Sequence, residues 1–238
     1  MKPFSPLQRL LEFLEEKLDE EALANARGRV VGCLEKGSPP VCVSQCLSSK
    51  AESPFHRLTL EEGARDFQVM LYNELCGLCG VILSRPMEAI PSIRPNYGTG
   101  ILPSLFGSEI RYVDPNELPW SGPIGEKELA AFADQDTAPL DAGLGERVME
   151  TYDFFTCALS PYPKLSRCIH YAHADLQGPF DVLHLLYDNG IYFSLYDDPA
   201  FVHALLGTVT RTYIAFLKRM LPVVKSDLSG CCYHWNTI

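Results

Sequence analysis

The chemistry-bearing residues of this chain fall in two short runs. The first is Ile169–Phe180 (IHYAHADLQGPF), which holds His170, His173, Asp175 and Gln177 ahead of a Gly178-Pro179 step. A histidine and an aspartate two residues apart on extended backbone share a face. Together they can handle a proton or bind a metal; the plainer alternative is a buried histidine satisfied by its neighbouring carboxylate. His170 lies three residues before His173 and so faces the opposite side. The second run is Arg94–Gly100, where Arg94, Asn96 and Tyr97 precede a Gly-Thr-Gly turn. A guanidinium beside an amide and a phenol fits a carboxylate or phosphate, the alternative being a capping arginine. His173 and Asp175 are therefore the catalytic candidates, and Arg94, Asn96, Tyr97, Gln177 and His234 the ligand-binding candidates.

Two cysteine pairs and one further histidine complete the inventory. Cys76-Gly-Leu-Cys79 has redox or metal spacing, but it sits inside a helical pattern with no second pair and reads as structural. Cys231 and Cys232 are adjacent, so on a strand they point to opposite faces and cannot share a metal. His203 follows a helix start and belongs to a packed or solvated face. No metal ligands are assigned.

The elements that must position these groups begin with Ser5-Pro6, a cap and first-turn proline, followed by Leu7, Leu10, Leu11 and Leu14 at helical spacing. A second helix is predicted over about 20–35, stopped by Gly37-Ser-Pro-Pro40. Val41–Cys46 reads as a first strand. Thr59-Leu-Glu-Glu62 is a capping box opening a helix to about Leu83. Ile90–Gly98 reads as a proline-interrupted second strand. An irregular stretch follows, with short helices near 126–133 and 146–159. Arg167–Ala174 is a third strand, and Asp198-Pro199 starts a helix with Phe201, Val202, Leu205, Leu206, Val209, Tyr213, Phe216 and Leu217 on one face. Cys231–Ile238 is a fourth strand.

Strands alternating with helices predict an α/β fold with parallel strands. About four strand–helix units are present, whereas a closed (β/α)8 TIM barrel needs eight. The expectation is one incomplete barrel domain over 1–238, with amino-terminal helices at 1–37 and a lid-like insertion at 107–165. An apolar terminal strand would leave a sheet edge open to a second copy or to aggregation.

Bulk properties narrow the function. A length of 238 residues and 47% hydrophobic content support a substantial core, and 21% charged residues argue against disorder. A net charge of −10 disfavours nucleic-acid and anionic-membrane partners. No run reaches the roughly 20 apolar residues of a membrane span. Nine cysteines, odd in number and set mostly in apolar stretches, point to reduced thiols. A cytoplasmic protein with a small-molecule ligand is expected.

The segment Asp197-Asp-Pro-Ala-Phe-Val-His-Ala-Leu-Leu206, with the Gly-Pro turn before it and Arg94–Gly107 upstream, resembles the uroporphyrinogen decarboxylase superfamily over roughly residues 55–238. The resemblance implies the amino-terminal half of a TIM barrel and a tetrapyrrole-like or small carboxylated ligand. Three groups of the true decarboxylases are missing. There is no arginine cluster at 41–56, where only Lys50 is found; Gly98 falls where the family places an aspartate, and Leu185 where it places a tyrosine. Decarboxylation of uroporphyrinogen itself is therefore not expected. The superfamily also contains methyltransferases that use a corrinoid and zinc, whose ligands would fall beyond residue 238. The expectation is thus a lyase-like or methyltransferase-like enzyme of that superfamily, with a non-catalytic partial-barrel binding protein as the alternative from another class.

Overall fold

The computed structural model describes residues 4–36, 53–84, 87 and 89–224. The strands expected at 41–46 and 231–238, Lys50 and His234 lie outside them.

The fold is mainly helical, which corrects the expected TIM barrel. Among the described residues eleven α-helices accompany four strands of two residues each. One parallel pair joins β1 (Ser92–Ile93) to β4 (His170–Tyr171), and an antiparallel hairpin joins β2 (Ile110–Arg111) to β3 (Trp120–Ser121). The physical reason is visible in the sequence. Pro91 and Pro95 bracket β1, and proline has no N–H for a ladder. Arg167 and Cys168, expected in a strand, close a short helix, α8 (Pro163–Cys168), instead. The ladder around the parallel pair therefore carries His170 N–H to Pro91 O at 2.9 Å and Ala172 N–H to Ile93 O at 2.9 Å.

Helix-on-helix packing supplies the core. In α1 (Ser5–Lys17), Leu7, Leu10, Leu11 and Leu14 are buried, each worth roughly 2 kcal/mol of transfer free energy. Ser5 is the first helical residue rather than the cap; the Phe4 N–H is satisfied by Gln68 Oε1 at 3.1 Å. Asp19 accepts from Glu21 N–H and Ala22 N–H and so starts α2 (Glu20–Lys36). The Thr59–Glu62 capping box forms, but the helix it opens, α3 (Leu60–Arg65), stops after six residues. Asp66 is extended, ends α3 through its own N–H, and caps α4 (Phe67–Leu83) by accepting from Gln68 N–H at 2.7 Å. One expected helix is thus two. α4 lies at the centre, touching α1, α3, β1 and α7 (Gly145–Leu159).

Within residues 107–165, α7 buries Val148, Tyr152 and Phe155 in the core, and α6 (Glu126–Ala133) precedes it. Upstream, α5 (Ile101–Leu105) follows a single 3-10 turn at Gly98–Gly100. Gly98 has φ +63°, and a Cβ there would meet Pro119 Cδ at 2.9 Å, so any side chain at this position would be strained.

The carboxyl-terminal half consists of α9 (Pro179–Tyr187), α10 (Gly190–Asp197) and α11 (Pro199–Met220). Asp198 Oδ1 accepts from Phe201 N–H at 3.1 Å, and Pro199 fills the first turn, as the Asp-Pro step predicts. By length and composition alone α11 is apolar enough to cross a membrane, which corrects the expectation that no such run exists. Its Val202, Leu205, Val209 and Phe216 are packed inside the protein, against α6, α9 and α10. Its threonines bind the chain beside it: Thr208 donates to Gln135 O at 2.9 Å, and Thr212 accepts from Ala138 N–H at 3.0 Å.

One buried amide ties the segment before α3 to α4. Asn73 Oδ1 accepts from Leu58 N–H at 2.8 Å, while its Nδ2 donates to Leu58 O and Thr59 O at 3.2 Å each. Asn73→Ala removes all three bonds and strands buried backbone groups. The expected cost is about 2–3 kcal/mol, read as a lowered urea midpoint with unchanged slope. A loss under about 0.5 kcal/mol would show that this segment is held by other contacts.

Candidate functional site

A cleft of about 670 Å³ opens where the chain leaves the two parallel strands. After β1 it receives Arg94 and Asn96; after β4 it receives His173, Asp175 and Gln177. α4 forms the facing wall with Glu74, Gly77, Leu78 and Val81, and the first turn of α9 closes one end with Gly178, Pro179 and Asp181. Five of the six described candidates from the sequence therefore meet in one place.

Tyr97 does not join them. It is 1% exposed, and its hydroxyl lies 2.7 Å from Thr151 Oγ1. Thr151 donates to the Arg147 carbonyl at 2.7 Å, so the Tyr97 O–H is the donor of the pair. Burial raises its pKa above the ordinary tyrosine value. Tyr97 is a core residue tying the Gly98 turn to α7.

Sequence reasoning missed Glu74 and Arg57. Glu74 is the only charged residue among the seventeen of α4, and that isolation was the available signal. Its carboxylate accepts from the Arg94 backbone N–H and from Asn96 Nδ2, both at 3.2 Å. Desolvation raises its pKa above the ordinary 4.5, against the opposing pull of these bonds and of the Arg94 and Arg57 charges. Arg57 donates from Nε to Asn73 O at 3.2 Å, and its guanidinium passes over Gly77, where a Cβ would collide with it. A side chain at 77 would push the guanidinium from this position.

On the opposite wall Asp175 is held from two sides. Gln177 Nε2 donates to Oδ1 at 2.7 Å, and Arg94 lies 3.7 Å from Oδ2. The second distance is long for a charge-assisted hydrogen bond, and both side chains keep part of their surface in the cleft. Gln177 itself has φ +57°, a left-handed conformation costing about 1 kcal/mol for a residue with a Cβ. Backbone strain of this kind gathers at functional sites.

His173 Nδ1 lies 3.0 Å from the Ala174 carbonyl. A carbonyl only accepts, so Nδ1 is the donor of this pair. Asp175 is directed to Gln177 and Arg94 by its described bonds, so its described part is to position the arginine.

Cys76 and Cys79 are buried on α4. Burial pushes Cys76 up to about 11 and raises Cys79 as well, opposite to the shift that makes a thiol reactive. Among the described residues no group of three or more His, Cys, Asp or Glu side chains is placed to hold a metal ion.

The raised Glu74 pKa has a definite sign. Below 4.5 the carboxyl is protonated folded and unfolded, so its contribution is fully present there and is lost as pH rises through the folded value. Glu74→Gln cannot ionise. Its melting temperature relative to wild type is expected to climb as pH is raised from 4 to 8, and a difference flat across that range would contradict the burial argument.

Comparison of the chain with models of known protein families, with curated proteins and with solved structures gives no match.

Proposed function

We propose that this chain binds a small carboxylated ligand in the cleft, with Arg94 as its anchor and His173 as the proton-handling group. The observation that carries the reading is the Arg94–Asp175 pair, 3.7 Å apart and partly exposed inside a concave site. A guanidinium so loosely engaged has donors to offer an incoming carboxylate, and its planar fork suits that group. The cleft volume lies within the roughly 300–1,000 Å³ span of small-molecule sites, and its walls mix apolar residues such as Ile90, Ile93 and Leu176 with a few convergent polar groups.

Chemistry at the site follows from His173. His173 lines the cleft with Nδ1 set against a carbonyl, and an imidazole placed there can exchange a proton with a bound ligand as a general acid–base group does. The lyase and corrinoid-methyltransferase readings both belonged to a closed eight-stranded barrel. What remains of them is the ligand class, a small carboxylate, and it rests on Arg94.

Thermal shift against a panel of two- to six-carbon carboxylates and amino-carboxylates provides the test. A binder at 100 times its Kd adds about 2.7 kcal/mol and raises Tm measurably. Arg94→Ala should weaken binding at least tenfold and Arg94→Lys by less, whereas Tyr97→Phe, outside the cleft, should leave Kd unchanged. Wild-type affinity in folded Arg94→Ala, or no binder in the panel, would overturn the proposal.

A further inference from the structure

We propose that the outer face of α10 docks a basic, partly apolar segment of another protein, one that sets apolar side chains between its Lys or Arg residues. Ile191, Tyr192, Phe193, Leu195 and Tyr196 make α10 largely apolar, yet Ile191 alone among its residues is buried. A helix that is apolar on every side normally belongs in an interior. Here Tyr196 is 89% exposed, Phe193 70% and Tyr192 48%, and Leu195 also faces solvent. Tyr196 stands one turn beyond both Tyr192 and Phe193, so the three rings are neighbours on the helix surface. The patch continues onto α9, where the Tyr192 ring lies 6.4 Å from the exposed Phe180 ring and 5.6 Å from that of His184. Single exposed apolar residues are ordinary on a surface, whereas a contiguous group of this kind marks an interaction face.

Charge selects the occupant. Between Arg167 and Arg211 the chain contains no Lys or Arg, and Asp181, Asp188, Asp197 and Asp198 stand exposed on or beside the same two helices. The ion pairs among the described residues all lie elsewhere. A Lys or Arg brought to this face meets two attractions, the Coulomb pull of the carboxylates and the electron-rich faces of the rings. Apolar side chains between those cations would cover Phe193 and Leu195, and aromatic residues are the usual anchors of a protein interface. The same distribution disfavours two other occupants. A second copy placed face to face by a two-fold axis would set aspartate against aspartate, and anionic lipid headgroups would be repelled. A basic segment with apolar residues suits both the rings and the acids.

Fluorescence anisotropy on the full chain tests this with a labelled peptide of about four helical turns, carrying Leu on one face and Lys on the other. Two matched peptides accompany it, one with Glu in place of every Lys and one with Ser in place of every Leu. The Leu–Lys peptide is expected to bind about tenfold tighter than either, and to weaken about threefold or more when salt rises from about 0.05 M to about 0.3 M. Phe193 and Tyr196 project largely into solvent, so Phe193→Ser and Tyr196→Ser should keep the fold while each weakens binding about fivefold. Asp188→Asn combined with Asp197→Asn should weaken it by a similar factor. Asp114→Asn combined with Glu117→Gln makes an equal charge change on the exposed chain between β2 and β3 and should leave binding within about twofold. Equal losses from the two charge pairs would mean attraction to the whole acidic molecule and would overturn the proposal. So would unchanged affinity in Phe193→Ser and Tyr196→Ser, or no binding of the Leu–Lys peptide at about 100 μM. Sedimentation adds two further arms. A wild-type dimer dispersed by Phe193→Ser would assign the face to a second copy, and retention on phosphatidylcholine vesicles lost in Phe193→Ser would assign it to lipid; either would overturn the proposal.

Discussion

The cleft side of the molecule is organised around one half-buried carboxylate, that of Glu74. Glu74 projects from a helix whose other sixteen residues carry no charge, and its two oxygens are met by the Arg94 backbone and the Asn96 amide. These bonds join α4 to the chain leaving β1. From there Arg94 extends to Asp175 on the chain leaving β4. Strands two residues long give the parallel pair few backbone bonds, so side chains must fix how the two exits lie relative to each other. A half-buried acid with both oxygens engaged is well suited to this, because displacing it would break both bonds.

The same network explains why the cleft is held open and preorganised. Tyr152 donates to the Ala172 carbonyl at 2.7 Å, so the exit of β4 is fastened to the core helix α7. Gln177 then turns left-handed, and its amide clasps Asp175 across two residues. The strain at Gln177 is offset locally by that bond. In return, Asp175 is held in a fixed orientation beside Arg94. Groups locked by their own hydrogen bonds lose little freedom on binding, which is the usual source of affinity in small sites.

Local chemistry was legible in the sequence where a few residues decide the outcome. The capping box at Thr59 and Glu62, the Asp198-Pro199 start of α11, and the leucine face of α1 all follow from neighbours within one or two turns. The convergence of Arg94 and Asn96 with His173, Asp175 and Gln177 was legible too, because the β1–β4 pairing sets both exits on one side. The architecture was not. An alternation of apolar runs and helices reads the same whether a run becomes a long strand or a two-residue bridge, and the difference lay in Pro91, Pro95 and the helical turn ending at Cys168. Tyr97 was misplaced for a related reason. Its neighbours suggested a ligand grip, but only the tertiary position of Thr151, 54 residues away, shows where the hydroxyl is satisfied.

Glu74 escaped the sequence reading because it lies in a helix, while attention to strand ends favours loops. Yet an acid in an otherwise uncharged helix has two physical outcomes: it faces solvent, or it is buried beside donors that justify the desolvation cost. On α4 the neighbouring positions decide between them. Leu71, Leu75 and Leu78 are buried one turn before, beside and one turn after it, and Gly77 opens the surface to Arg57 rather than to a side chain of its own. α4 thus passes Gly77 beneath the Arg57 guanidinium and places its sole carboxylate where the Arg94 backbone N–H can reach it. Arg94 and Asp175 complete the cleft from the strand exits, 3.7 Å apart and each partly exposed.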